Sequence, residues 1–399
     1  MLQHFLDTLI ADGTFAGMPR DVVYLIGMLA AGALVVFGFV LNVAGVTTFV
    51  ERRVWARIQS RVGPNRVGPQ GILQWLADGI KLLMKEEAIP FAADARLFKL
   101  APYIVTVGFV TAFVAIPFSS TLIVADLNLG ILYITSMTSL VVVGIMVAGW
   151  ASNNKWALIG GIRAAAQIVS YEIPAALSIF TVILITGTLS MQGIIQQQGW
   201  GPWDWFIFHN PFTFVGFFIT FTALLAEGNR TPFDLPEAES ELVAGFVTEY
   251  SGARYLFFFL VEWGNLYVIS AILVTLFLGG WQVPPIPVIT DHPVGRNILE
   301  FLTFFVKSYF GVIVIMWIRA TLPRTRVDQL MTASWKYLLP MAFVNFVGTA
   351  LWVLVWPDGF RFAELLLTAI GFGLVVYFVS RVVHYLRRSG AKITLSPLS

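Results

Sequence analysis

Nine apolar stretches dictate what this chain can become: each is long enough, or nearly so, to cross a hydrocarbon core about 30 Å thick. They lie at 22–50, 100–124, 129–150, 164–189, 211–226, 255–279, 299–318, 337–356 and 362–383 of the 399 residues. Inside a bilayer the backbone has to satisfy its own hydrogen bonds, so each stretch is expected to be a helix. The predicted fold is therefore an all-α polytopic membrane protein with about nine transmembrane helices, forming one helical domain over 1–399. Composition agrees, with 57% hydrophobic and only 12% charged residues, against roughly 25% charged in soluble domains. The segment 211–226 is the shortest, and 22–50 exceeds a perpendicular crossing, which predicts tilt or projection beyond the bilayer.

Charge sets orientation. With the N-terminus outside and each segment crossing in turn, 21 of the 25 Lys and Arg residues fall on the inner side, the bias that fixes topology. The C-terminus is then inside. The substantial loops are all internal, at 51–99, 151–163, 227–254 and 319–336. There is no cysteine, so this chain itself offers no thiolate for an iron–sulfur cluster and no disulfide. His4, His209, His292 and His384 are too scattered for a metal site, and none is expected. Residues 1–21 carry no signal-peptide pattern.

Loop 51–99 contains a second kind of helix. Ile72, Leu73, Leu76, Ile80 and Leu83 recur on one face of 72–86, while Asp78, Lys81 and Lys85 share the other. That pattern predicts an amphipathic helix lying in the interface. Before it, GPNRVGP (63–69) sets two Gly-Pro turns around Asn65 and Arg66, a shaped loop. Glu51, Arg52 and Arg53 close the first span. They anchor it at the interface or belong to a site, and composition alone leaves both open.

Loop 227–254 is the most informative. Six acids (Glu227, Asp234, Glu237, Glu239, Glu241 and Glu249) and two arginines (Arg230 and Arg254) lie between apolar segments. Anionic headgroups attract cations, so this acidity faces protein, water or a ligand. Pro232 and Pro236 keep Phe233–Leu235 irregular. Glu237 and Glu241 share a helical face at i, i+4, where like charges repel and couple their titrations. Two further acids fall within spans, Glu172 about eight residues into 164–189 and Glu262 in 255–279. Charge there is costly, so each is a structural hydrogen-bond partner or a proton relay, and their position beside the acidic loop favours the relay. Arg319, Arg324 and Arg326 read as topology determinants.

Four ordered stretches carry a resemblance: ERRVWARIQSRVGPNRVGPQGILQ with ADGIKLLMKEE (51–87), GWASNNKWALIGGIRAAAQIVSYEIP (149–174), AEGNRTPFDLPEAESELVAGFVTEYSG (226–252) and RATLPRTRVDQLMTASWKYLLP (319–340). They resemble the complex I subunit 1 family, whose bacterial members belong to NADH:quinone oxidoreductase. The resemblance implies a heel subunit of a proton-pumping complex in a bacterial inner membrane, an enzyme only within that complex. Its substrate would be a quinone, ubiquinone or menaquinone. Flavin and iron–sulfur clusters would reside in partner subunits, no cofactor would be bound here, and no nucleic acid would be involved.

It further implies that Glu51, Arg52, Arg61 and Arg66 border a quinone chamber or its docking surface, with Arg230, Asp234, Glu237, Glu239 and Glu241 lining its charged connection. Glu227, Glu262 and Glu172 would begin a proton-coupling path. Three departures stand out. Trp75 replaces a proline common in relatives, 129–150 has no acid, and 362–383 is a span beyond the usual eight. Two other readings remain: the quinone-free anchor of a membrane-bound hydrogenase, and a secondary transporter, which the lack of an internal repeat disfavours.

Overall fold

The structure is a computed structural model that describes residues 22–23, 32, 36–236, 239–285, 292–356 and 360–363, and then 365–370, 373, 376–377 and 380–381. Every regular element among these residues is helical. After a π-helical turn at Val36–Val40, α1 spans Leu41–Ile58, α2 Gln74–Met84, α3 Ala95–Ala112, α4 Gly130–Ala151 and α5 Lys155–Thr186. Two short helices follow, α6 (Met191–Gln196) and α7 (Phe206–His209), then α8 (Pro211–Glu227) and the single turn α9 (Glu239–Leu242). The remainder is α10 (Gly252–Phe277), α11 (Pro293–Thr321), α12 (Val327–Thr332) and α13 (Leu339–Val355), the last two joined through a π-helical turn at Ala333–Leu338.

Among the described residues six helices are long and apolar enough to cross a membrane: Ala95–Ala115, Gly130–Ala151, Lys155–Thr186, Gly252–Phe277, Val294–Thr321 and Val327–Val355. They correspond to six of the nine expected spans. A seventh, Pro211–Glu227, is apolar but has only 17 residues, about 26 Å of helix. The segment 22–50 is described continuously only from Val36, and 362–383 lies largely outside the described residues.

Helix ends follow ordinary capping chemistry. Asp94 accepts from the backbone N–H groups of Arg96 and Leu97 at 3.0 and 3.3 Å to start α3, and Asn154 accepts from that of Trp156 at 2.9 Å to start α5. Asn210 and Thr213 form a reciprocal box at the head of α8. Buried 72% along its most apolar window, against 22% for Val327–Val355, α10 is the central post. It packs on α1, α3 and α11, while α5 packs on α4, α8 and α13.

Several boundaries differ from the sequence expectation, for one reason: charged residues ride on helix extensions beyond the apolar windows. The first helix does not stop at Val50 but runs through Glu51–Arg53 to Ile58. The fourth starts at Lys155, which shrinks loop 151–163 to a turn. Loop 319–336 reduces to the stretch 322–326 between α11 and α12. As a result Glu172, expected eight residues into its span, sits near the middle of the 32-residue α5.

The surface helix is α2, and none of its residues is buried. Leu76, Ile80 and Leu83, with Ile72 and Leu73 just before it, are exposed, as an interfacial face requires. Trp75 is accommodated rather than disruptive. Its ring lies over Gly45 of α1, where an added Cβ would collide with it. In the turn before α2, Gly68 and Gly71 take φ of +72° and +80°, a region that glycine enters without the Cβ penalty.

Candidate functional site

The helix extensions bring charges together at one end of the bundle. Glu51 on α1 is 3% exposed and receives a hydrogen bond from Arg319, in the last turn of α11. On its other side stands Arg230, 1% exposed, with Nη1 3.9 Å from Glu51 and 3.0 Å from Glu262 of α10. Arg230 also donates to the backbone carbonyl of Glu262 at 3.1 Å. Tryptophans shield both cations: Arg230 lies 4.3 Å from the centroid of the Trp263 ring, and Arg319 lies 5.2 Å from Trp55 and 5.7 Å from Trp263. Removing paired charges from water is costly unless each keeps partners. Here every charge has an opposite charge or an aromatic face.

The acidic loop is fastened over this group. Gln167 of α5 reaches the carbonyls of Ala226 and Phe233, both at 2.7 Å, and the Asn229 side chain at 3.1 Å. Thr325 donates through backbone and side chain to the Pro232 carbonyl, both at 2.9 Å. Beside it, Arg324 pairs with Asp234 at 3.0 Å. Burial pushes the Asp234 carboxyl above its ordinary range, and the opposing pull of Arg324 and Arg319 does not cancel it. One oxygen of Asp234 and one of Glu51 are buried without a hydrogen-bond partner among the described residues, so the group retains acceptor capacity.

From Glu262 a cavity leads along the bundle. Counting its open mouth it encloses about 660 Å³, and Glu262, Asn265, Asn229, Glu227 and Thr138 supply its polar lining. Thr138 and Glu227 also line a second cleft of about 820 Å³, shared with Ser139 and Glu172. Glu172 accepts a hydrogen bond from Ser139, and the Thr138 hydroxyl donates to the Thr135 carbonyl at 3.0 Å. Glu262 and Glu227 line the first cavity and Glu227 and Glu172 the second, so Glu227 is common to both. Among the described residues no cluster of His, Asp or Glu is arranged to hold a metal ion.

Other expected site residues lie around this core. Arg52 pairs with Asp78 of α2 at 2.5 Å, tying the surface helix to α1. Glu241 pairs with Arg163 of α5 at 2.6 Å at a half-exposed position. Arg61, exposed, donates to Gln59 at 2.7 Å, and Arg66 is exposed in the Gly-Pro loop; neither joins the buried group. Glu237 lies outside the described residues, and Glu239 opens α9 with a side chain that is not described.

Sequence reasoning missed Arg319 and Arg324 as site residues, along with Trp55, Trp263, Gln167, Thr138 and Ser139. The two arginines had a visible signal in their adjacency to a span end, read only as topology. The others carry no local mark, because their partners are distant in sequence.

The NADH dehydrogenase family pattern matches residues 31–350. A protein of Anaeromyxobacter dehalogenans, named as a subunit of NADH-quinone oxidoreductase, is 56% identical over 338 residues, covering 81% of each chain. Proteins named as the same subunit from Dehalococcoides mccartyi and Chlorobium luteolum are 47% and 46% identical, covering 86% and 83% of this chain and 93% and 91% of theirs. On that match, and on the helical membrane architecture that carries it, the chain belongs to the NADH dehydrogenase family.

Proposed function

We propose that this chain is the membrane-arm heel subunit of a proton-pumping NADH:quinone oxidoreductase, forming much of the quinone chamber and coupling quinone reduction to proton translocation. The observation that carries this reading is the buried group Arg319–Glu51–Arg230–Glu262, with Glu262 and Glu227 lining one cavity and Glu227 and Glu172 the next. Paired cations and acids at a span end can respond to a charge change nearby, and a series of carboxylates can pass that response inward as proton uptake or release. The chain supplies no redox centre. Electrons arrive from flavin and iron–sulfur clusters in partner subunits, and quinone is the substrate.

The inner-side regions divide this work. Loop 51–99 with its surface helix borders the chamber through Glu51 and Arg52, and Arg61 and Arg66 face the docking surface. Loop 227–254 lines the charged connection with Arg230, Asp234, Glu237, Glu239 and Glu241. The segment 362–383 supplies an extra C-terminal span. The complex sits in a bacterial inner membrane, with the N-terminus of this chain outside and its C-terminus in the cytoplasm.

The test is affinity purification of the tagged chain from its native membranes, assayed for NADH oxidation coupled to quinone reduction. Recovery with a flavin and iron–sulfur arm and inhibitor-sensitive quinone reduction is expected. Recovery with a nickel hydrogenase, or recovery of the chain alone under mild detergent, would overturn the reading.

A further inference from the structure

We propose that Thr138 and Ser139, neighbours on α4, are positioning residues that join Glu227 and Glu172 into one proton-exchange unit, an inference that rests on the proton-coupling role proposed above. Helix α4 carries no acid of its own, yet it sets two hydroxyls in the cleft that both acids line. Ser139 donates to Glu172 in the middle of α5, and Thr138 lines the same cleft as Glu227 at the end of α8. Two consecutive hydroxyls thus stand in one cleft with two carboxylates from different helices.

Each hydroxyl has a backbone acceptor at hand. The carbonyl of Thr135 lies 3.0 Å from the Thr138 hydroxyl and 2.8 Å from that of Ser139. A hydroxyl carries one proton and two lone pairs. When the carboxylate is ionised, the hydroxyl donates to it. When the carboxyl is protonated, the hydroxyl accepts from it and turns its own proton to Thr135. Both protonation states are therefore hydrogen-bonded, which removes the cost of leaving a buried polar group unmatched.

Space supports the same conclusion. All four side chains line one cleft, and no Lys, Arg or His lies among its lining residues. The exchange conserves protons: one leaves Glu227 and one arrives at Glu172, or the reverse. A hydroxyl on the route takes one proton on its oxygen and releases its own, and the Thr135 carbonyl accepts only a hydrogen bond.

The experiment uses the complex purified from native membranes and reconstituted in vesicles. In Thr138→Val/Ser139→Ala, proton translocation per NADH oxidised should fall several-fold and the pH profile of quinone reduction should move, with assembly intact. Thr138→Ser/Ser139→Thr, which keeps both hydroxyls, should restore both readouts. Full pumping with an unchanged pH profile in the Val/Ala pair overturns the proposal. Ser139→Cys fills the serine's volume with a weak donor and guards against a packing artefact. It should pump less than the parent, and parental pumping in this variant also overturns the proposal. Infrared difference spectra separate this idea from the functional reading. The protonated-carboxyl band that disappears in Glu172→Gln should shift in Ser139→Ala, and a band that stays in place overturns the hydroxyl role. A parent complex without quinone-reductase activity would overturn the functional reading, while the band would still decide the hydroxyl contact.

Discussion

At the scale of single residues, Arg230 and Arg163 show how burial sets the value of an ion pair. Arg230 is enclosed between Glu51, Glu262 and Trp263, whereas Arg163 meets a Glu241 that is 53% exposed. Arg230→Ala would leave Glu262 without its cation and Glu51 with Arg319 alone, a loss on the order of 3–5 kcal/mol. Arg163→Ala should cost about 0–1 kcal/mol. Thermal unfolding of the detergent-solubilised chain checks the contrast, and equal midpoint shifts would refute it. Asp234 gives a pH signature. Its carboxyl is raised by burial, so the folded chain holds that proton more tightly than the unfolded chain. The resulting stability is full below about pH 3.9 and is lost as pH rises through the raised value. Asp234→Asn should therefore flatten the fall in thermal midpoint between acid and neutral pH, and parallel curves for variant and parent would exclude this. Glu51 illustrates the limit of sequence reading. Its acidity at a span end is visible in the sequence, but its partner Arg319 lies 268 residues away, and no local pattern announces such a pairing.

At the scale of elements, apolar length was the dependable signal and charge the misleading one. The windows centred on α3, α4, α5, α10, α11 and α13 all became helices, because a lipid-facing backbone has no other way to bond itself. Boundaries drifted where helices continue past the apolar window into charged turns, as in α1 and α5. Those extensions create the site, since Glu51 belongs to a helix that was expected to have ended. The surface helix was legible from its periodicity, but its seat on α1 was not, because Gly45 and Trp75 meet only in three dimensions. Gly45→Ala should lift α2 from α1 and speed proteolysis of residues 59–73 in solubilised protein. Trp75→Ala should relieve the strain in the double variant. If Gly45→Ala alone cleaves at the parental rate, the close contact does not seat the helix.

At the scale of the whole molecule, the buried charges gather at one end of the helix bundle, and two cavities lined in part by Glu262, Glu227 and Glu172 lie beside them. The orientation read from Lys and Arg bias is testable because the parent has no thiol. In Arg61→Cys, a membrane-impermeant maleimide should label inverted vesicles and spare intact cells; the reverse pattern would invert the topology. One fastening has a mechanical consequence at this scale. Gln167 grips the end of α8 at the Ala226 carbonyl and the acidic loop at the Phe233 carbonyl, and the same helix carries Glu172 little more than one turn farther along. Helix α5 thus works as a crank with the loop as its handle. A displacement of the loop either breaks that grip or turns the shaft, and turning the shaft re-aims Glu172 within its cleft.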